Sequence, residues 1–92
     1  MNVLIVTYDL VRQANSDAYA SILNIIKSEK SWAKLSESSY AMHTNMTPKT
    51  VYEKAKPYLD EKDNFMIFTL TSPYFGRNSK EVIDWLQAKI NH

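Results

Sequence analysis

Apolar residues along the chain fall into two kinds of run, and the difference predicts the elements. Residues 2–8 (NVLIVTY) and Asn64–Leu70 (NFMIFTL) are almost unbroken and rich in Val, Ile and Phe. Short apolar runs of this composition predict strands that are buried on both faces. In the first, Val3 and Ile5 share one face while Leu4, Val6 and Tyr8 share the other. Two further short strands are predicted at Trp32–Ser36 and Ser39–Thr44 around a polar turn. The second of these alternates, with Tyr40 and Met42 on one side and Ser39 and His43 on the other.

Elsewhere the apolar positions recur at helical spacing. Asn15 or Ser16 offers a side-chain oxygen to cap a helix that runs to about residue 29. Its stripe is Ala18, Tyr19, Ile22, Leu23 and Ile26. Thr47-Pro48 is a second helix start, a hydroxyl cap followed by a proline whose missing N–H costs nothing there. The predicted stripe is Val51, Ala55, Tyr58 and Leu59, with Pro57 ending the helix early or kinking its last turn. Ser72-Pro73 breaks the last strand, Gly76 marks a turn, and Ser79 caps a third helix carrying Val82, Ile83, Leu86 and Ile90.

The predicted order is β-α-β-β-α-β-α in one domain spanning residues 1–92. Its first six elements match an α+β, ferredoxin-like βαββαβ sandwich, an antiparallel sheet with two helices on one face, here with an additional C-terminal helix. That plan leaves one sheet face bare, although the first and last strands are apolar on both sides. A bare apolar face is a large exposed patch, so a cover is expected from the C-terminal helix and from a second copy in a homodimer.

Charge and composition narrow the function classes. Eleven basic and ten acidic residues give a formal charge of +1, without the basic excess common in nucleic-acid-binding domains. The absence of cysteine excludes disulfides, thiolate catalysis and cysteine zinc sites, and fits a reducing cytoplasm. The apolar start is too short for a signal segment, and no run approaches the roughly 20 apolar residues of a membrane span. A cytoplasmic protein without membrane association is expected.

The chemistry-bearing residues are few. Asp9 ends the first strand, either as a strand stop bonded to its own backbone or as a ligand for a hard cation. The predicted topology puts it beside Ser36, Glu37, Ser38 and Ser39, and near Glu61 and Asp63. One carboxylate is a poor Mg²⁺ site, whereas two copies of Asp9 meeting across a twofold axis make a better one. His43 and His92 show no metal-ligand spacing, and the serines lack a histidine–acid partner for a hydrolase triad. Tyr74-Phe75-Gly76-Arg77-Asn78 is either an aromatic turn packed on the core or a base-stacking and phosphate-gripping segment. Trp32, Tyr40 and Trp85 are expected in the core.

The motifs VTYDL, WAKLSESSYAMHT, FMIFTLT and EVIDWLQAKI together resemble the SinR family, small proteins similar to the CRISPR-associated Cas-two subunit. The resemblance covers essentially the whole chain and implies a ferredoxin-like fold in a symmetric dimer. It implies that Asp9 is the position proposed to bind Mg²⁺ for phosphodiester cleavage, and that Ser39-Tyr40 matches a serine–aromatic pair of that family. Arg12, Ser39 and Arg77 are the corresponding candidates for nucleic-acid contact. Members of that family also act as non-catalytic scaffolds, and the related VapD toxins are ribonucleases, so the fold alone does not select an activity. Two readings follow. One is a dimeric module that binds nucleic acid or protein with weak or no catalysis. The other is a Mg²⁺-dependent endonuclease using Asp9 paired across the dimer.

Overall fold

The first strand, β1 (Asn2–Asp9), is the centre of the architecture. The computed structural model describes residues 1–11 and 16–90, so Arg12, Asn15 and His92 lie outside the described residues. The elements that follow are α1 (Asp17–Lys27), β2 (Trp32–Ser36), β3 (Ser39–Thr44) and α2 (Pro48–Ala55). After a short 3₁₀ turn at Lys56–Tyr58 come β4 (Asn64–Leu70) and α3 (Lys80–Ile90). The four strands form one sheet in the order β2-β3-β1-β4, with every neighbouring pair antiparallel.

Alternation of side chains along β1 builds two cores, one on each sheet face. Leu4, Val6 and Tyr8 meet Tyr40 and Met42 of β3, Ile22 and Ile26 of α1, and Val51 and Ala55 of α2. Val3, Ile5 and Ala41 face the other way and are covered by Val82 and Leu86 of α3, with Leu35, Leu70, Tyr74 and Trp85 around them. The C-terminal helix thus does cover the second face, and the Trp85 indole anchors it by donating to Ser31 Oγ at 3.0 Å. Cover is incomplete, because Met66 and Phe68 of β4 stay exposed on that face.

The parity of the ladder follows from one bond. Tyr8 N–H donates to the Ser38 carbonyl at 3.0 Å, so even-numbered residues of β1 bond toward β3 and odd-numbered ones toward β4. Across β1 and β4 the partners are Thr7 with Met66 and Ile5 with Phe68. The N–H and C=O groups of Phe65, Ile67 and Thr69 therefore point to the free edge of the sheet.

Capping places the helices where the hydroxyls predict. Ser16, Thr47 and Ser79 accept from Tyr19, Thr50 and Val82 N–H at 3.5, 3.2 and 3.2 Å. Several boundaries and burials differ from the sequence reading. α1 ends at Lys27, where Ser28 donates its hydroxyl to the Ile25 carbonyl. Pro57 tightens the last turn of α2 into 3₁₀ geometry, and three residues per turn rotate Tyr58 off the apolar stripe, leaving it 45% exposed. Trp32 sits on the edge strand instead of in the core, 36% exposed, with its ring 6.0 Å from Tyr40 and Lys27 Nζ 4.9 Å above it. Gly76 lies in an irregular segment with ordinary φ and open space around it, so no turn requires a glycine there.

Candidate functional site

Sheet topology puts Asp9 and Ser39 at one end of the molecule, and the segment carrying Arg77 is tied to the same end through Asn78. Asp9 is the last residue of β1 and pairs with Asn64, the first of β4. Its carboxylate is exposed at the sheet end, on the face shared by Thr7, Met66 and Ser39, where Thr7 pairs with both. The chain that leaves Asp9 is pinned immediately. Tyr19 hydroxyl bonds the Leu10 backbone, accepting its N–H at 3.4 Å and lying 3.3 Å from its carbonyl. Asp63 Oδ1 accepts from Val11 N–H at 2.9 Å. Asp9 therefore stands on a fixed strap instead of a free loop.

Next to it lies a serine turn. Ser36 and Ser39 hydroxyls are 2.6 Å apart across the β2–β3 hairpin, and Ser38 N–H donates to Ser36 Oγ at 3.4 Å. Glu37 points into solvent and pairs with Lys34 at 3.4 Å. Arg77 arrives through its neighbour: Asn78 Nδ2 donates to the Leu35 carbonyl at 3.1 Å, which ties the segment after β4 to the end of β2. Among the described residues, no hydrogen bond or ion pair joins Asp9, Ser39 and Arg77 to one another. Arg12 lies outside the described residues.

The donor set limits what a cation finds. Among the described residues there is no group of three or more His, Cys, Asp or Glu able to hold a metal ion. Asp63, whose carboxylate holds the chain just after Asp9, already accepts backbone N–H groups on both its oxygens, from Val11 at 2.9 Å and from Asp60 at 2.7 Å. Mg²⁺ commonly takes one or two carboxylates plus water and phosphate oxygens. Asp9 alone supplies one carboxylate to such a shell, and water, phosphate oxygens or a second Asp9 would have to supply the rest.

The electrostatics of the surroundings are mild. Tyr8, behind Asp9 in the helix-side core, has its phenol pushed up to about 12 by burial, with smaller contributions from Tyr40, Tyr19 and Glu37. His43 is lowered by burial and by the Lys89 ammonium. It lies at the opposite end of the sheet, where it pairs with Val3 and lines a hollow of about 570 Å³ with Asn2, Thr71 and Lys89. It is no base for the Asp9 end.

Sequence reasoning put Asp63 near Asp9 and Tyr19 on the apolar stripe of α1, but missed their bonds to the chain leaving β1, which depend on contacts 52 and 9 residues away. It also treated YFGRN as one unit, whereas Tyr74 packs against the second core and Phe75 projects fully into solvent. No protein-family model and no curated protein matches the sequence. Among the described residues, no helix is long and apolar enough to cross a membrane.

Proposed function

We propose that this protein is a ferredoxin-like, SinR-like homodimer of the cytoplasm that binds nucleic acid at the Asp9–Ser39–Arg77 end, with weak or no catalysis. The strand order β2-β3-β1-β4 and two helices on one face support the ferredoxin-like assignment. The observation that carries the function is the make-up of that end. An exposed guanidinium and the Ser36–Ser39 hydroxyl pair offer donors to phosphate oxygens, while among the described residues no group of three or more His, Cys, Asp or Glu stands ready for a metal ion.

The second reading, a Mg²⁺-dependent endonuclease with Asp9 paired across the dimer, is favoured by the exposure of Asp9 at a rigid strand end. In that case Asp9 holds the ion, and the ion supplies charge stabilisation at the scissile phosphate and an activated water.

Fluorescence anisotropy with single-stranded RNA and with duplex DNA, at low and moderate salt, separates the two. The module reading expects salt-dependent binding whose slope falls by about 0.7 to 0.9 in Arg77→Ala. Asp9→Asn should leave binding equal or tighter, because a negative charge beside phosphate is removed. A Mg²⁺-dependent cleavage product that disappears in Asp9→Asn transfers the assignment to the endonuclease. Absence of binding to either nucleic acid at low salt sinks the nucleic-acid reading.

A further inference from the structure

The outer edge of β4 is an open ladder. Phe65, Ile67 and Thr69 direct their N–H and C=O groups away from β1, and among the described residues nothing pairs with them. Natural edge strands are blunted by charges, prolines, bulges or very short length. β4 has none of these: it is 7 residues long (NFMIFTL), uncharged, without proline, and in unbroken register with β1. On the second sheet face its Met66 and Phe68 are 62% and 44% exposed, beyond the reach of α3. Unpaired backbone and uncovered apolar side chains occur on one strand.

We propose that β4 pairs antiparallel with β4 of a second copy, about a twofold axis at Ile67, joining the two sheets into one. This rests on the homodimer reading above and names its interface. The register is selected by self-complementarity. Centring on Ile67 makes the pairs Ile67 with Ile67 of the partner subunit and Phe65 with the partner's Thr69, so that all three free-edge residues exchange backbone bonds. It also sets Met66 opposite the partner's Phe68, and Phe68 opposite the partner's Met66. These are the non-hydrogen-bonded positions, where side chains approach most closely, and a thioether against an aromatic ring is a favourable contact. No like charges oppose each other anywhere along the seam, since β4 carries none.

A second copy is the occupant that this symmetry fits, because an isologous contact requires one patch to complement itself. The arrangement has a consequence for the site. Asp9 is level with Asn64, three residues from the axis, so the two Asp9 carboxylates sit at opposite ends of the joined sheet. Their offset along the strands is roughly 20 Å at about 3.3 Å per residue. The dimer then presents two separate binding ends and no shared metal centre.

Cysteine pairing reads the register directly, since the chain has no cysteine of its own. Met66→Cys and Phe68→Cys variants would be prepared separately, then mixed and oxidised. Residues 66 and 68 of opposite copies should lie with Cα atoms about 4.5 Å apart, within disulfide range, whereas 66 to 66 should be about 8 Å apart. The expected result is a dimer of wild type in sedimentation at about 100 μM, and about tenfold more covalent dimer in the mixture than in either variant alone. The M66K/F68K variant, its fold checked by circular dichroism, should be monomeric. A wild-type dimer whose mixed variants cross-link no better than the single ones overturns the β4 seam and leaves the homodimer reading standing. A wild-type monomer at that concentration overturns both.

Discussion

Asp63 and Val11 are linked across the end of the sheet: the Asp63 carboxylate accepts the Val11 N–H at 2.9 Å, and its second oxygen holds Asp60 N–H at 2.7 Å. One side chain therefore closes the turn before β4 and fixes the chain that leaves β1. Asp63→Ala should remove both contacts and cost about 1 kcal/mol, a fall of roughly 4 to 8 °C in melting temperature. Asp63→Asn keeps one acceptor oxygen and should lose less. Thermal melts of the two variants beside wild type check the order.

Among the described residues, Thr44 is the one fully buried polar residue in the core. Its hydroxyl donates to the Glu29 carboxylate and accepts Met46 N–H at 3.0 Å, so it couples the end of α1 to the end of β3. Thr44→Val preserves shape and strands the Met46 N–H without its acceptor. Chemical denaturation should show a loss of about 1 to 2 kcal/mol with an unchanged m-value.

Tyr8 gives the protein a pH dependence on the alkaline side. Its phenol rises from 10.0 to about 12 in the fold because burial disfavours the phenolate. The folded state holds that proton more tightly than the unfolded chain, so stability is intact below pH 10 and declines as pH rises from 10 toward 12. The loss over that window is about 2 to 3 kcal/mol. Tyr8→Phe should flatten this part of the pH–stability curve, and ultraviolet titration of the wild type should show one phenol ionising late.

Core and surface apolar residues should separate cleanly in mutational cost. Leu4 is fully buried between the sheet and its two helices, whereas Phe75 lies wholly in solvent. Leu4→Ala should cost about 2 to 5 kcal/mol, a large share of the stability of a small domain. Phe75→Ser should stay within about 0.5 kcal/mol. Equal effects of the two in denaturant melts would mean that Phe75 is covered in solution.

The strands were legible because their signal is local. β2, β3 and β4 occupy the residues that pattern alone predicts, and β1 runs one residue further, with Asp9 still paired to Asn64. Thr47-Pro48 and Ser79 announced their helices for the same reason, since a cap is read from adjacent residues. What escaped was set by tertiary contact or helical pitch. Trp32 looks like a core residue until β2 proves to be a sheet edge, and Tyr58 falls on the stripe only if Pro57 leaves the pitch unchanged. At the candidate site, Asp9, Ser39 and Arg77 were read from strand ends and a turn. The anchoring roles of Asp63 and Tyr19 have no local signature at all.

The central position of β1 has a kinetic consequence. Its two neighbours, β3 and β4, come late in the chain; Val3 finds His43 on one side and Leu70 on the other. Closing contacts so distant in sequence must be preceded by the loss of loop entropy, which slows refolding relative to a helical bundle of the same size. During synthesis, a nascent chain that has not yet delivered residues 64–70 leaves β1 with an open flank and two apolar faces. Ribosome-bound intermediates of that length are the species most exposed to aggregation and to chaperone capture.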